Sequence, residues 1–225
     1  MSVLIQVVTN SQGSSVGLAA GQNYPALAAK YLGPQYDVRS LVVSGWTLSD
    51  VVNNLEDNVL SLKPDIAIFQ IGIVEAAQRI LSNREKAFLS ILPFGRILTA
   101  AMHRHRATVL TWRKRLGIGS RVVPPDEFRR LLELLSEKLQ SYGIPFLLVP
   151  IPLFPDAGES LAHPLINEDI ALYNAMLSRF GCLDIDRVPE ISYFQNGTVH
   201  FSAKGHDWLA KALVAGIQRF AAVTA

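Results

Sequence analysis

Val3-Leu4-Ile5-Gln6-Val7-Val8-Thr9-Asn10-Ser11 is the stretch on which the reading of this chain turns. Val3 to Val8 is short and almost continuously apolar, as expected of a strand buried on both faces. Thr9-Asn10-Ser11 then ends the run with side chains that favour turns. A buried strand this close to the start, followed by a polar turn, suggests an α/β chain whose first loop opens at the end of a sheet.

The pattern repeats outward from there. Tyr24 to Leu32 has helical spacing and stops at Gly33-Pro34. Val38 to Val43 reads as a second strand closed by Ser44-Gly45, and Leu48, Val51, Val52, Leu55 and Val59 follow helical periodicity up to Lys63-Pro64. Ile66 to Ile71 is a third buried strand ending at Gly72. Phe128, Leu131, Leu132, Leu135, Leu139 and Tyr142 mark an amphipathic helix ended by Gly143, before a fourth strand at Phe146 to Val149. Ile170 to Phe180 reads as helix, Leu183 to Ile185 as a short fifth strand, and Leu209, Ala212, Leu213, Gly216, Ile217 and Phe220 as one face of a closing helix.

Strands alternating with helices imply a parallel sheet covered on both faces. The fold class expected is therefore flavodoxin-like three-layer α/β/α with a five-stranded parallel sheet. Ligands of such sheets bind at the carboxyl ends of the strands. The turns Thr9 to Gly17, Ser44 to Thr47 and Gly72 to Glu75 are where chemistry is expected.

Composition narrows the function. At 225 residues and 49% hydrophobic, one domain spanning 1–225 is expected. It carries a basic, mostly helical insertion at about 76–123. Of the 21 Lys and Arg, 12 fall between Arg79 and Arg130 against three acids, although the formal charge is only +2. Such a segment suits an anionic substrate, a membrane surface or an acidic partner, and equally a solvated helix face. The single cysteine, Cys182, excludes an internal disulfide and a multi-cysteine metal site. Met1 to Val8 lacks the basic start and cleavage pattern of a signal peptide, and no apolar run has membrane-span length. A cytoplasmic protein with no cofactor, no metal and no nucleic-acid partner is expected, with contact to a surface through the basic insertion left open.

Candidate nucleophiles cluster after the first strand. Gly13-Ser14-Ser15-Val16-Gly17 fits G-x-S-x-G, but that elbow belongs to a mid-chain strand of a larger sheet. The turn also lacks the Gly-Lys-Ser/Thr ending of a phosphate loop. Ser11 sits at the mouth of the sheet. Its proton could pass to His200, which lies in Asn196-Gly197-Thr198-Val199-His200-Phe201-Ser202 just before a helix start. His206 falls inside that helix as a structural or exposed residue, and His103 and His105 lie in the insertion without metal-ligand spacing.

Taken in chain order, these blocks resemble the SGNH (GDSL-type) hydrolase family. Val8-Thr9-Asn10-Ser11 stands where the family has Gly-Asp-Ser, and Val43-Ser44-Gly45-Trp46-Thr47 is similar to the second block. Pro64-Asp65-Ile66 through Gly72-Ile73-Val74-Glu75 is similar to the third, Tyr173-Asn174 to a pair before the last strand, and Val199-His200-Phe201-Ser202 to the final block. The resemblance implies Ser11 as nucleophile, His200 as general base and the Gly45 amide as an oxyanion donor. It also implies an ester or acylated carbohydrate as substrate, the latter through similarity to a polysaccharide-associated subgroup. Two supporting groups differ: Val74 stands where the family has an asparagine donor, and Gly197 where it has the acid that orients the histidine. Glu190 or Asp186 could replace that acid if the loop folds back. Three functions are consistent with the sequence: a serine esterase or O-acyltransferase, a non-catalytic SGNH-fold module binding a glycan or protein, and an unrelated doubly wound nucleotide-binding protein.

Overall fold

The computed structural model describes residues 2–118, 121–155, 166–185, 187–195 and 198–224. Four strands, β1 (Val3–Thr9), β2 (Tyr36–Val42), β3 (Ile66–Gln70) and β4 (Phe146–Val149), form one parallel sheet in the order β2-β1-β3-β4. The chain moves from β1 outward to β2, then returns across β1 to β3 and β4. That reversal leaves a crevice at the carboxyl ends of β1 and β3, where ligands of open sheets bind.

The fifth strand expected at Leu183 to Ile185 is reduced to a bridge between Leu148 and Cys182, held by Leu148 N–H to the Gly181 carbonyl and Leu183 N–H to the Leu148 carbonyl. The ladder breaks at Ile185, whose N–H turns back onto the Leu183 carbonyl, and parallel pairing resumes at the Leu153–Arg187 bridge.

Helices cover both faces. α1 (Tyr24–Leu32) starts where the Asn23 side chain accepts from Ala26 N–H, and it packs on α10 (Ala203–Thr224). On the other face α2 (Leu48–Asn53) packs on α8 (Pro125–Ser141), which in turn meets α9 (Ile166–Leu177). Phe128, Leu131, Leu132, Leu135 and Leu139 of α8 are buried as their spacing requires. Each contributes about 1.5–3 kcal/mol relative to exposure. The continuous helix expected from Leu48 to Val59 is broken, with α3 (Leu55–Asn58) separate from α2. Asn54 and Asn58 donate from their side-chain amides to the carbonyls four residues back, at 2.8 and 2.9 Å, and this local competition disfavours a regular helix.

After β3 comes the short α4 (Ile73–Ala76), and the interval expected to be a basic helical insertion then holds α5 (Asn83–Ile91), α6 (Gly95–Arg104) and α7 (Arg106–Arg115). Ile80, Leu81, Leu89 and Leu110 form a small core of their own there. Ion pairs tie the segment down. Asp169 on α9, almost fully buried, accepts from Arg121 at 2.7 Å, Gln78 at 2.8 Å and Lys114 at 3.3 Å.

Candidate active site

The first turn is built around Asn10. Its Oδ1 accepts from Gln12 N–H at 3.0 Å, closing a single 3-10 turn over Ser11–Gly13. Thr9 hydroxyl donates to Gln70 Oε1 at 2.9 Å, joining register partners at the ends of β1 and β3. Gly13 then folds back so closely that a Cβ there would lie 2.2 Å from Thr9 Cγ2; only glycine permits this turn. Ser14 hydroxyl donates to the Ser11 carbonyl at 2.6 Å, which gives Ser14 a structural task.

Ser11 is left half-buried at the sheet mouth. Neither its hydroxyl nor its amide hydrogen-bonds to another described residue. The Gly45 amide, in the turn after β2, likewise donates to no described acceptor, and its φ of +80° suits glycine. Two amides without a described acceptor, in neighbouring turns at the carboxyl end of a sheet, are the raw material of an oxyanion site.

The far end of the chain is drawn to this turn by side chains that the sequence reading did not single out. Gln12, buried, donates from Nε2 to the Val199 carbonyl at 3.0 Å across 187 residues. Gln195 donates to the Val16 carbonyl at 2.5 Å and to the Phe201 carbonyl at 3.1 Å. Tyr24 N–H donates to His206 Nδ1 at 3.1 Å. His206 is therefore a buried structural residue, stacked on Tyr24 and edge-on to Phe201; burial pushes its pKa down to about 4 and holds it neutral.

His200 follows Val199 in this junction and is half-buried. Its backbone is fixed by the bond from Gln195 N–H to its carbonyl at 2.9 Å and by its own N–H donating to Thr198 Oγ1 at 3.2 Å. Its ring makes no hydrogen bond to Ser11 or to any other described residue. Glu190, considered as a substitute acid, is exposed and paired with Lys204, so it is turned to other use. Asn196, Gly197 and Asp186 lie outside the described residues.

Ser11, Val74 and Val199 line one cavity of about 460 Å³. Val74 thus faces the site, as its place in the chain implies, with a side chain that cannot donate. Glu75 lies beside it. It is fully buried, and its Oε1 accepts from Leu48 N–H at 2.6 Å at the start of α2. The carboxyl so joins the β3–α4 turn to the segment that follows Gly45. Burial pushes its pKa up to about 7, against the opposing effect of the Leu48 amide. An acid inside an otherwise apolar post-strand turn was the signal available.

No family model and no curated protein sequence matches the chain. Solved structures do. An acetylxylan esterase from Geobacillus stearothermophilus superposes with a TM-score of 0.61 at 16% identity, over 96% of this chain and 95% of that one. Another acetyl xylan esterase gives 0.60 at 16% identity, over 96% and 100%. A Desulfitobacterium hafniense protein described as lipolytic and of the G-D-S-L family gives 0.59 at 14%, over 96% and 99%. The fold is that of the SGNH (GDSL-type) hydrolases. The turns that carry the first, second and third sequence blocks follow β1, β2 and β3, and the last block precedes α10.

Among the described residues no three His, Cys, Asp or Glu side chains form a metal-binding group, and no helix is long and apolar enough to cross a membrane.

Proposed function

We propose that this chain is an SGNH-type serine ester hydrolase acting on an acylated small molecule or carbohydrate, with Ser11 as nucleophile and His200 as general base. The observation that carries this reading is the Gln12–Val199 hydrogen bond, which holds the His200 segment against the turn that presents Ser11. The Ser11 hydroxyl attacks the ester carbonyl while His200 takes its proton. The amides of Ser11 and Gly45 stabilise the oxyanion, and the alcohol leaves with the proton from His200. Water, deprotonated by the same ring, then releases the acid. A sugar hydroxyl in place of that water turns the site into an O-acyltransferase.

The solved neighbours, acetyl xylan esterases and a lipolytic protein among them, support ester chemistry, and an acetylated carbohydrate is the substrate class preferred here. A cytoplasmic site of action fits the lone Cys182. His200 works here as half of a dyad, and with Val74 in place of an amide donor the turnover expected is low. Losing one oxyanion donor typically lowers it about 10²–10³-fold.

A second reading, an SGNH-fold module that binds a glycan or protein without turnover, is favoured by the absence of a Ser11–His200 hydrogen bond. One experiment separates the two. Hydrolysis of 4-nitrophenyl acetate and labelling by a fluorophosphonate are measured on wild type, Ser11→Ala and His200→Ala. The hydrolase loses labelling in Ser11→Ala and falls to background hydrolysis in both variants. Equal signal in all three proteins sinks the catalytic reading.

A further inference from the structure

We propose that the cavity beside Ser11 binds a negatively charged group of the substrate, so that the ester this site cleaves is anionic, bearing a carboxylate, phosphate or sulfate. The chemistry rests on the reading of Ser11 as nucleophile; the binding does not.

The argument begins with where the basic residues of the insertion go. Arg79 comes from the link after α4, Lys86 from α5, His103 from the last turn of α6 and Arg106 from the first position of α7. Four separate segments thus send cationic or ionisable side chains to the wall of one cavity, the same cavity that Ser11 lines. Basic residues on a merely solvated helix face would spread outward and have no reason to converge. No aspartate or glutamate lines the cavity among the described residues. Of the acids near it in the chain, Glu85 is bound by Arg113 at 2.8 Å and Glu75 is buried with its Oε1 on Leu48 N–H.

The remaining lining is apolar. Ile73, Val74 and Ala77 enter from the turn after β3, next to Ser11 because β1 and β3 are register neighbours at Thr9 and Gln70. The cavity therefore offers an apolar wall near the nucleophile and a cationic wall supplied by the insertion. Its volume of about 460 Å³ suits one small-molecule ligand. In a recess partly closed to water, charges attract an anion more strongly than on an open surface, and salt weakens that attraction. Guanidinium groups add planar two-point contacts to carboxylate or phosphate oxygens.

The test uses two acetate esters of equal shape, 4-acetoxybenzoate and the neutral 4-acetoxybenzamide. The wild-type kcat/KM ratio is expected to favour the anion at least ten-fold at low salt and to shrink in 0.5 M NaCl. The ratio is expected to fall at least three-fold in Lys86→Glu, whose exposed side chain makes folding a small concern, and further in Lys86→Gln/Arg106→Gln. Binding of both esters to Ser11→Ala, followed by NMR titration, reads the charge preference without turnover. Charge-selective binding by Ser11→Ala in a protein that shows no hydrolysis would retire the catalytic reading and leave this one standing. Hydrolysis of both esters at rates within two-fold of each other, or a ratio untouched by Lys86→Glu and by salt, would overturn the anionic cavity and leave the hydrolase intact.

Discussion

Replacing Glu75 with glutamine should change how the protein's stability depends on pH, in a direction fixed by where that carboxyl sits. Glu75 is fully buried, accepts from Leu48 N–H through Oε1, and has no hydrogen-bond partner at Oε2 among the described residues. Burial lifts its pKa from 4.5 to about 7. The folded state then binds the proton more tightly than the unfolded state, so folding stability falls as pH rises from about 4.5 to about 7. At about 1.4 kcal/mol per tenfold change in proton affinity, the loss is about 3 kcal/mol. His206 works in the opposite sense. Its pKa is lowered from 6.5 to about 4, so stability falls as pH drops through that interval. The two windows overlap, and the wild type should be nearly flat across them. Glutamine at 75 keeps an oxygen for the Leu48 amide and removes the titration, so it exposes the His206 slope. Urea unfolding at half-unit steps from pH 4.5 to 7.5 is the assay. The stability of Glu75→Gln minus that of wild type should rise by about 3 kcal/mol from the acid to the alkaline end. A difference that stays constant within about 0.5 kcal/mol would refute the placement of a strained carboxyl behind the Gly45 turn.

The mirror experiment is His206→Gln, which should leave Glu75 unopposed; its stability should fall by about 3 kcal/mol between pH 4.5 and 7 by the same urea series, and a profile parallel to that of wild type would contradict a buried neutral imidazole. Asp169→Asn removes the acceptor charge shared by Arg121, Lys114 and Gln78, and should cost about 2–4 kcal/mol in a chemical melt at pH 7; a change below about 0.5 kcal/mol would show the cluster to be incidental. Val74→Asn places an amide donor in the wall of the Ser11 cavity and should raise kcat on 4-nitrophenyl acetate about ten-fold, whereas an unchanged rate would remove residue 74 from the oxyanion site.

The layers of the fold were legible because their signals are local. Val3 to Val8 and Ile66 to Ile71 are too apolar for anything but buried strands, and α8 declares its face through Phe128, Leu131, Leu135 and Leu139. Errors fell where a local signal competes with context. Asn54 and Asn58 interrupt a helix that the apolar spacing alone would continue. Leu183 to Ile185 has strand-like composition, yet the sheet engages it only through a bridge beside it.

The candidate site divides along the same line. Ser11 and His200 could be singled out from sequence because one follows a strand and the other precedes a helix at a readable boundary, and Gly45 through the family resemblance. Gln12, Glu75 and the cavity-lining Arg79, Lys86, His103 and Arg106 could not. A buried glutamine reaching the Val199 carbonyl has no sequence pattern, since its partner lies 187 residues away. The basic insertion likewise looked the same whether it faced solvent or the nucleophile. Sequence by itself determined the order of strands and helices and the residues capable of chemistry, because hydrophobic period and turn preference act over a few neighbouring positions. The tertiary structure alone decided that β1 and β3 would open one crevice, that the His200 segment would be tied to the Ser11 turn, and that the insertion's cations would line the same cavity. Those outcomes depend on packing between segments far apart in the chain.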